Sequence, residues 1–162
     1  MTGGVQGERA PDFDLVGDEG HRVKLSDFAG RNVVVYFYPK DDTSGCTREA
    51  VDFTGARESL AKAGTTVIGI SPDSEASHCK FKEKHGLGII LAADPLHEAI
   101  SAYGVWVEKS MYGRKYMGVE RSTFLVGSDG RIAQVWRKVR VPGHVDEVLA
   151  AARALGLPGR RK

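Results

Sequence analysis

Apolar and polar positions along this chain fall into blocks that predict strands and helices in turn. Residues 32–38 and 65–71 are almost continuously apolar and rich in β-branched or aromatic side chains. That pattern is typical of strands covered on both faces, and not of strands with one face in water. Both blocks are therefore predicted to be central strands of a buried sheet.

Apolar residues at helical spacing predict two long helices, over residues 46–62 and 144–155. A third helix begins after a cap at Asp73 or Ser74 and reaches Lys84, where Gly86 closes it. The shorter elements are an amino-terminal β-hairpin, a turn or short helix, a short strand, a short helix and a second hairpin, predicted over residues 13–25, 26–30, 89–92, 96–103 and 122–136, respectively.

This order predicts an α/β protein whose mixed central sheet is flanked by helices, with a β-hairpin at the amino terminus. It is the order expected of a thioredoxin-like fold. The length of 162 residues fits one domain, and 41% hydrophobic residues argue against disorder. We expect residues 1–162 to form a single domain with loose termini at 1–7 and 157–162.

The charge balance weakens several classes of function. The 23 basic and 21 acidic residues leave a net charge of +2, too small to predict a nucleic-acid partner. A membrane helix needs about 20 mostly apolar residues, which the sequence does not offer, and residues 1–7 lack the apolar segment of a signal peptide. We expect a cytoplasmic protein that binds neither nucleic acid nor membrane.

Other polar residues suggest no cofactor site. The five histidines show no metal-binding spacing, so we expect them to be solvated and predict no metal. The adjacent Asp41 and Asp42 are expected to keep a loop in water and not to act as a carboxylate dyad.

The candidate chemistry lies at one of the two cysteines, Cys46 and Cys79. Cys46 follows Gly45 in a polar loop, at the predicted start of a helix and beyond the carboxyl end of a buried strand, an edge where ligand sites gather. A helix amino terminus favours a thiolate through its unpaired N–H groups and partial positive charge. The alternative is that Cys46 packs in the core as a small hydrophobic residue.

The residue three positions before this cysteine is Thr43, in the run Thr-Ser-Gly-Cys. Thioredoxin-type enzymes have Cys-x-x-Cys at this turn, so Thr43 excludes dithiol–disulfide exchange within it. A lone thiolate needs another reaction, such as attack on an electrophilic oxygen.

The pattern Pro39-x-x-x-Thr43-x-x-Cys46 resembles the active-site signature of the peroxiredoxins. The wider run over residues 36–49, Tyr-Phe-Tyr-Pro-Lys-Asp-Asp-Thr-Ser-Gly-Cys-Thr-Arg-Glu, is similar to the PrxQ type, also called bacterioferritin comigratory protein. Further similar runs cover residues 103–106, 109–113 and 118–125. The resemblance extends over roughly residues 8–155.

The resemblance implies a role for each residue of the signature. Cys46 is the peroxidatic thiolate, which attacks a peroxide and becomes a sulfenic acid. Thr43 directs its hydroxyl at the sulfur and the peroxide, and Arg121 holds a positive charge beside both. The backbone N–H groups of Gly45 and Cys46 add donors, and Pro39 shields the pocket. The resemblance requires no metal or organic cofactor.

Taken singly, each partner of the cysteine has a simpler interpretation. Thr43 is a residue type that caps helices, Arg121 lies beside Glu120 as a surface charge would, and Pro39 ends a strand. Glu49 either accepts a hydrogen bond from Arg121 or is only a favourable acid in the first turn of a helix.

The sequence departs from the PrxQ pattern at two positions. Ser44 replaces a common proline, and Val51 stands where many members carry a resolving cysteine. Some members carry that cysteine on the next helix, where Cys79 lies about 200° around the helix from Phe81 and so faces solvent. Cys79 is thus a candidate resolving cysteine; the alternatives are an incidental surface thiol or an intermolecular partner, with Cys46 acting as a one-cysteine enzyme.

The resemblance implies a thiol-dependent peroxidase that reduces H2O2 and organic hydroperoxides and is re-reduced by thioredoxin or a similar dithiol protein. We expect a monomer or a weak dimer. The competing hypotheses are a thiol–disulfide oxidoreductase, which the missing Cys-x-x-Cys disfavours, and a redox sensor that is oxidised once and does not cycle.

Overall fold

The computed structural model describes residues 4–17 and 20–157. Its strands are β1 (Asp14–Gly17), β2 (Arg22–Lys24), β3 (Asn32–Phe37), β4 (Thr65–Ser71), β5 (Ile90–Ala93), β6 (Trp106–Met111), β7 (Arg114–Val119), β8 (Ser122–Val126) and β9 (Ile132–Trp136). Its helices are α1 (Ser44–Lys62), α2 (Glu75–His85), α3 (Glu98–Ala102) and α4 (His144–Leu155), with a 3-10 turn at Leu25–Phe28.

Seven strands form one mixed sheet in the order β2-β1-β5-β4-β3-β8-β9. The strands β3, β4 and β5 are parallel, and the remaining pairs are antiparallel. Every residue of β3 is buried, which confirms the prediction of a central strand covered on both faces. The predicted amino-terminal hairpin is also confirmed, because β1 and β2 pair antiparallel.

The two faces of β3 belong to different cores. Val33, Val35 and Phe37 pack in a cluster that includes α3, whereas Val34 and Tyr36 pack in a cluster with α1, α2 and α4. Side chains alternate between faces because successive residues of a strand point to opposite sides. The sheet flanked by helices on both faces confirms the predicted thioredoxin-like architecture.

Most predicted helix ends lie within two residues of the observed ones. The α1 helix begins at Ser44, two residues before the predicted start, and α4 has the predicted bounds. Ser74 caps α2 by accepting a hydrogen bond from the Ser77 N–H at 3.1 Å, and Gly86 ends this helix in the left-handed conformation. Both capping predictions for α2 are confirmed.

The structure adds a hairpin that the hydrophobic pattern did not predict. Strands β6 and β7 pair with each other in a sheet of their own, and most of their side chains are half-buried or exposed. Their turn has positive φ at both Tyr112 and Gly113, the geometry of the tight hairpin turns that usually favour Asn-Gly. Without a buried face or that usual turn pair, the segment gave no strand signal.

The termini are only partly described. Gly4 is buried and the Gly7 N–H donates to the Ile132 carbonyl at 2.8 Å, so this part of the leader contacts β9. Residues 1–3 and 158–162 lie outside the described residues, and the expected looseness there stays a prediction. Across the ranges described, no helix has both the length and the apolar composition to cross a bilayer.

Candidate active site

The loop from β3 to α1 carries the predicted signature. Pro39 is half-buried just beyond β3, and Thr43 is the N-cap residue of α1 with extended backbone. The first bond within the helix runs from the Thr47 N–H to the Thr43 carbonyl at 2.8 Å. The N–H groups of Ser44, Gly45 and Cys46 therefore have no acceptor within the helix and surround its amino terminus with donors.

Cys46 lies in this first turn, buried against the α1 side of the sheet with 1% of its surface exposed. Its Sγ accepts a hydrogen bond from Nη2 of Arg121 at 3.2 Å. A guanidinium is always positive, so the sulfur lies against a fixed cation. Cys46 is thus buried, as the alternative of a small hydrophobic core residue predicted. Its sulfur nevertheless contacts a charged side chain, which that alternative does not explain.

The same guanidinium also contacts a buried acid. Nη1 of Arg121 donates to Oε1 of Glu49 at 2.6 Å, which decides between the two interpretations of Glu49 left open above. Glu49 is 0% exposed, and its other oxygen has no hydrogen-bond partner within residues 4–17 and 20–157. Burial raises the pKa of Glu49 to about 7, against the opposing charge and hydrogen bond of Arg121.

A glycine before the cysteine makes room for this arrangement. A Cβ added to Gly45 would lie 3.3 Å from Nη2 of Arg121, which is tighter than most real contacts. The guanidinium therefore lies directly against the backbone of the first turn of α1. A side chain at this position would require the guanidinium to shift by a few tenths of an ångström.

Thr43 and Pro39 lie beside the site without a bond to the sulfur. The Thr43 hydroxyl donates to the Lys40 carbonyl at 2.9 Å, and no hydrogen bond joins it to Cys46 among the described residues. Its oxygen can still accept a hydrogen bond from a ligand. The roles expected of Thr43 and Pro39 toward a peroxide stay predictions.

A second cation that acts on the site, Lys109, was not assigned a role from the sequence. Lys109 on β6 is half-buried, and its stem crosses β7 at Gly118, whose added Cβ would lie 3.2 Å from the Lys109 Cδ. Burial and then the charge of Arg121 lower the pKa of Lys109, whereas Cys46 and Glu120 oppose the shift. The unpredicted hairpin carries this lysine, and the sequence marked it only as the first residue of the run 109–113 that is similar to the family.

Cys79 lies on α2 with its side chain exposed, as its helical position predicted, and Phe81 faces the core. Neither cysteine is in a disulfide. Cys46 is buried and Cys79 is exposed, so the two thiols occupy different environments in this conformation.

The expectation that all five histidines are solvated is wrong for two of them. His78 is fully buried, with Nδ1 2.7 Å from Oδ2 of Asp41. His144 is buried beside the Thr123 hydroxyl at 2.8 Å, and burial, helped by the charge of Arg121, lowers the pKa of His144 to about 4. The local sequence around these histidines could not reveal that they are buried, because the elements that cover them are distant in the chain.

The expectation that Asp41 keeps the loop in water is also wrong, because Asp41 is buried beside His78. Ligand atoms of Asp41, Asp73 and His78 lie within 4.8 Å of one another, a spacing that could suit a metal ion. These atoms already bond to each other or to Tyr38, Ser71 and Ser77. We therefore interpret the group as a hydrogen-bond network.

Comparison with known proteins identifies the family of this chain. The model of the AhpC/TSA family matches residues 6–135. Peroxiredoxin Bcp of Bacillus subtilis is 52% identical over 143 residues, which cover 88% of this chain and 91% of that protein. The structure of peroxiredoxin Q from Xanthomonas campestris superposes with a TM-score of 0.84 at 44% identity, covering 88% of this chain and 90% of that one.

A further structure concerns alkyl peroxide reduction by the bacterioferritin comigratory protein of X. campestris. It has a TM-score of 0.84 and 43% identity, and it covers 88% of this chain and 90% of that chain. The family match disfavours the alternative of a thiol–disulfide oxidoreductase. The chain belongs to the AhpC/TSA family and, within it, to the peroxiredoxins of the PrxQ or Bcp type, which are thiol-dependent peroxidases.

Proposed function

We propose that Cys46 is the peroxidatic nucleophile of this peroxidase and that Arg121 is its main electrostatic partner. The observation that carries the proposal is the 3.2 Å contact between Nη2 of Arg121 and the Cys46 Sγ at the amino terminus of α1. The cation and the free N–H groups of the helix favour negative charge both on the sulfur and on the leaving oxygen.

The proposed first step is a two-electron oxidation of sulfur. The Cys46 thiolate attacks the distal oxygen of H2O2 or an alkyl hydroperoxide, the S–O bond forms and the O–O bond breaks. The leaving hydroxide or alkoxide takes up a proton and departs as water or alcohol, and Cys46 becomes a sulfenic acid. The Thr43 hydroxyl oxygen accepts a hydrogen bond from the peroxide O–H, and Pro39 shields the nascent sulfenic acid from bulk water.

We propose that Cys79 resolves this sulfenic acid. Its thiol attacks the Cys46 sulfur, a disulfide forms and water leaves. Asp41 is bonded to Ser77 and His78, next to Cys79, while the extended segment 42–46 spans roughly 17 Å at about 3.4 Å per residue. Unwinding the first turn of α1 therefore allows Cys46 to reach Cys79 while Asp41 stays in place.

The remaining proposals concern partners and location. The disulfide would exchange with a dithiol protein such as thioredoxin, which becomes oxidised as Cys46 and Cys79 are reduced. A cytoplasmic location suits this cycle, because a reducing compartment keeps both cysteines available as thiols. We propose a monomer or weak dimer that acts without nucleic acid or membrane.

Steady-state turnover tests the assignment of the nucleophile. Cys46→Ser should abolish H2O2-dependent oxidation of a thioredoxin or dithiothreitol, while circular dichroism shows an unchanged fold. Cys79→Ser should keep turnover with dithiothreitol, which can reduce the sulfenic acid directly. Retained turnover in Cys46→Ser would contradict the proposal, and a wild-type protein that reacts once without cycling would favour the redox-sensor alternative.

A further inference from the structure

The carboxylate of Asp41 is held by three side chains, although it lies in the loop just before the active-site helix. The Tyr38 hydroxyl donates to Oδ1 at 2.6 Å, and the Ser77 hydroxyl donates to Oδ2 at 2.7 Å. Nδ1 of His78 lies 2.7 Å from the same Oδ2. Burial acts to raise the pKa of Asp41, but the bonds and charge of His78, with the two hydroxyls, outweigh it and hold that pKa below its ordinary value.

Both ring nitrogens of His78 face acceptors. Nδ1 faces the Asp41 carboxylate, and Nε2 lies 3.1 Å from the Ala92 carbonyl. An imidazole N–H can donate to either acceptor. His78 is fully buried, so its contact with Asp41 lies within the protein. Removing the ring would leave the buried carboxylate without one of its three partners.

The backbone of the same loop is held as well. The Asp41 N–H donates to Oδ2 of Asp73 at 2.8 Å, and that oxygen also accepts from the Ser71 hydroxyl at 2.7 Å. The next residue, Asp42, has a φ of 60°, which is uncommon for a residue other than glycine. The loop between β3 and α1 thus takes a sharp, unfavourable turn directly after its buried anchor.

We propose that the Asp41–His78 pair is a positioning element of the peroxidase site. The pair anchors Asp41 to α2 and thereby fixes the turn at Asp42. That turn sets where α1 begins, and so it sets the positions of Cys46 and of the three free N–H groups in the first turn of the helix. His78 acts through Asp41 and touches neither the sulfur nor the peroxide. This inference rests on the proposed role of Cys46, since it concerns how that thiolate is presented.

Two amide substitutions separate the two bonds of His78. The side-chain nitrogen of asparagine reaches roughly the position of Nδ1, and that of glutamine roughly the position of Nε2. His78→Asn therefore keeps a donor for Asp41, whereas His78→Gln keeps a donor for Ala92 and loses Asp41. His85 offers a matched control, because it pairs with Asp42 at 2.8 Å from the same helix but is partly exposed.

The experiment measures the second-order rate constant for H2O2 in a single turnover, in a Cys79→Ser background that stops at the sulfenic acid. We expect His78→Gln to slow this reaction by between about tenfold and a hundredfold, the range that a displaced reacting group produces. His78→Asn and His85→Gln should stay within about threefold of the parent, in line with a retained anchor or an exposed pair. Thermal midpoints of all variants show whether any slowing tracks stability.

Equal slowing in His78→Asn and His78→Gln, or a His78→Gln rate equal to the parent, would overturn the proposal. If His78→Gln does not fold, Ser77→Ala replaces it, since it removes one donor to the same carboxylate oxygen; a rate unchanged from the parent would then count against the anchor. The parent rate reports separately on Cys46: a Cys79→Ser protein that consumes no H2O2 contradicts the proposed function itself.

Discussion

At the scale of single residues, one guanidinium joins the sulfur to a buried acid. Arg121 uses one Nη for Cys46 and the other for Glu49, a division that the planar fork of arginine allows and a lysine ammonium would not match. Glu49 orients the fork, and Gly45 lets it approach the helix backbone. The charge beside Cys46 is therefore set by a buried pair and not by an exposed cation that salt would screen.

The buried acid makes the stability of the protein depend on pH. Burial raises the pKa of Glu49 to about 7, above its value in an unfolded chain, so the folded state holds a proton that the unfolded state releases. The associated stability is present below about pH 4.5 and is lost as the pH rises through 7. This loss is on the order of 3 kcal/mol, at 1.36 kcal/mol per pH unit.

Glu49→Gln removes this titration and keeps the shape of the side chain. We expect the unfolding free energy of the wild type to fall relative to Glu49→Gln between pH 5 and pH 8, as measured by urea unfolding of the reduced proteins. Glu58→Gln, exposed on the same helix, should run parallel to the wild type. A constant difference between wild type and Glu49→Gln across this range would show that Glu49 does not titrate there.

At the scale of elements, the site lies at the carboxyl end of β3 and is completed by three other elements. The α1 helix supplies Cys46, α2 anchors the loop before it, and the connection from β7 to β8 supplies Arg121. The apolar runs and capping residues of the sequence predicted β3, β4, α1 and α2. They did not predict the β6–β7 hairpin, whose exposed strands lack a periodic apolar face.

The close packing of strands β3 and β4 leads to a prediction about stability. Tyr36 on β3 pairs with Gly69 on β4, and a Cβ at Gly69 would lie 2.7 Å from the tyrosine ring. Tyr36 is fully buried and stacks on Phe53, so it has little room to move. We expect Gly69→Ala to lower the free energy of unfolding by about 1–3 kcal/mol, measured by urea unfolding.

Gly55 is the matched control for this substitution. It is exposed in α1, and an added Cβ would have no neighbour within 4 Å in the described part of the chain. Because alanine is the better helix former, Gly55→Ala should raise the free energy of unfolding by about 1 kcal/mol. Equal effects of the two substitutions would mean that the contact between Tyr36 and Gly69 does not constrain the sheet.

At the scale of the whole molecule, residues far apart in sequence meet at the site. Arg121 reaches a sulfur 75 residues earlier in the chain, and His78 reaches Asp41 over 37 residues. The resemblance to a family pointed to Arg121, because a family motif identifies functional residues that hydrophobic patterns and helix caps do not reveal. Nothing marked His78, whose burial arises only when α2 packs over the loop between β3 and α1.

The resolving step also belongs to this scale. Cys46 is buried within the first turn of α1 and Cys79 is exposed on α2, so joining them requires a local opening of that turn. Such openings cost less than global unfolding, because helix ends are among the least stable parts of a fold. The anchor at Asp41 would keep the rest of the loop in place meanwhile.

The intact mass of the reduced protein after one equivalent of H2O2, for wild type and Cys79→Ser, tests the roles of both cysteines together. We predict that wild type loses about 2 Da and stays monomeric on a non-reducing gel, as for one internal disulfide. Cys79→Ser should instead carry a sulfenic acid on Cys46 that dimedone traps. Trapped or over-oxidised Cys46 in both proteins would contradict the role of Cys79, and an unmodified Cys46 in both would show that this cysteine does not reduce peroxide.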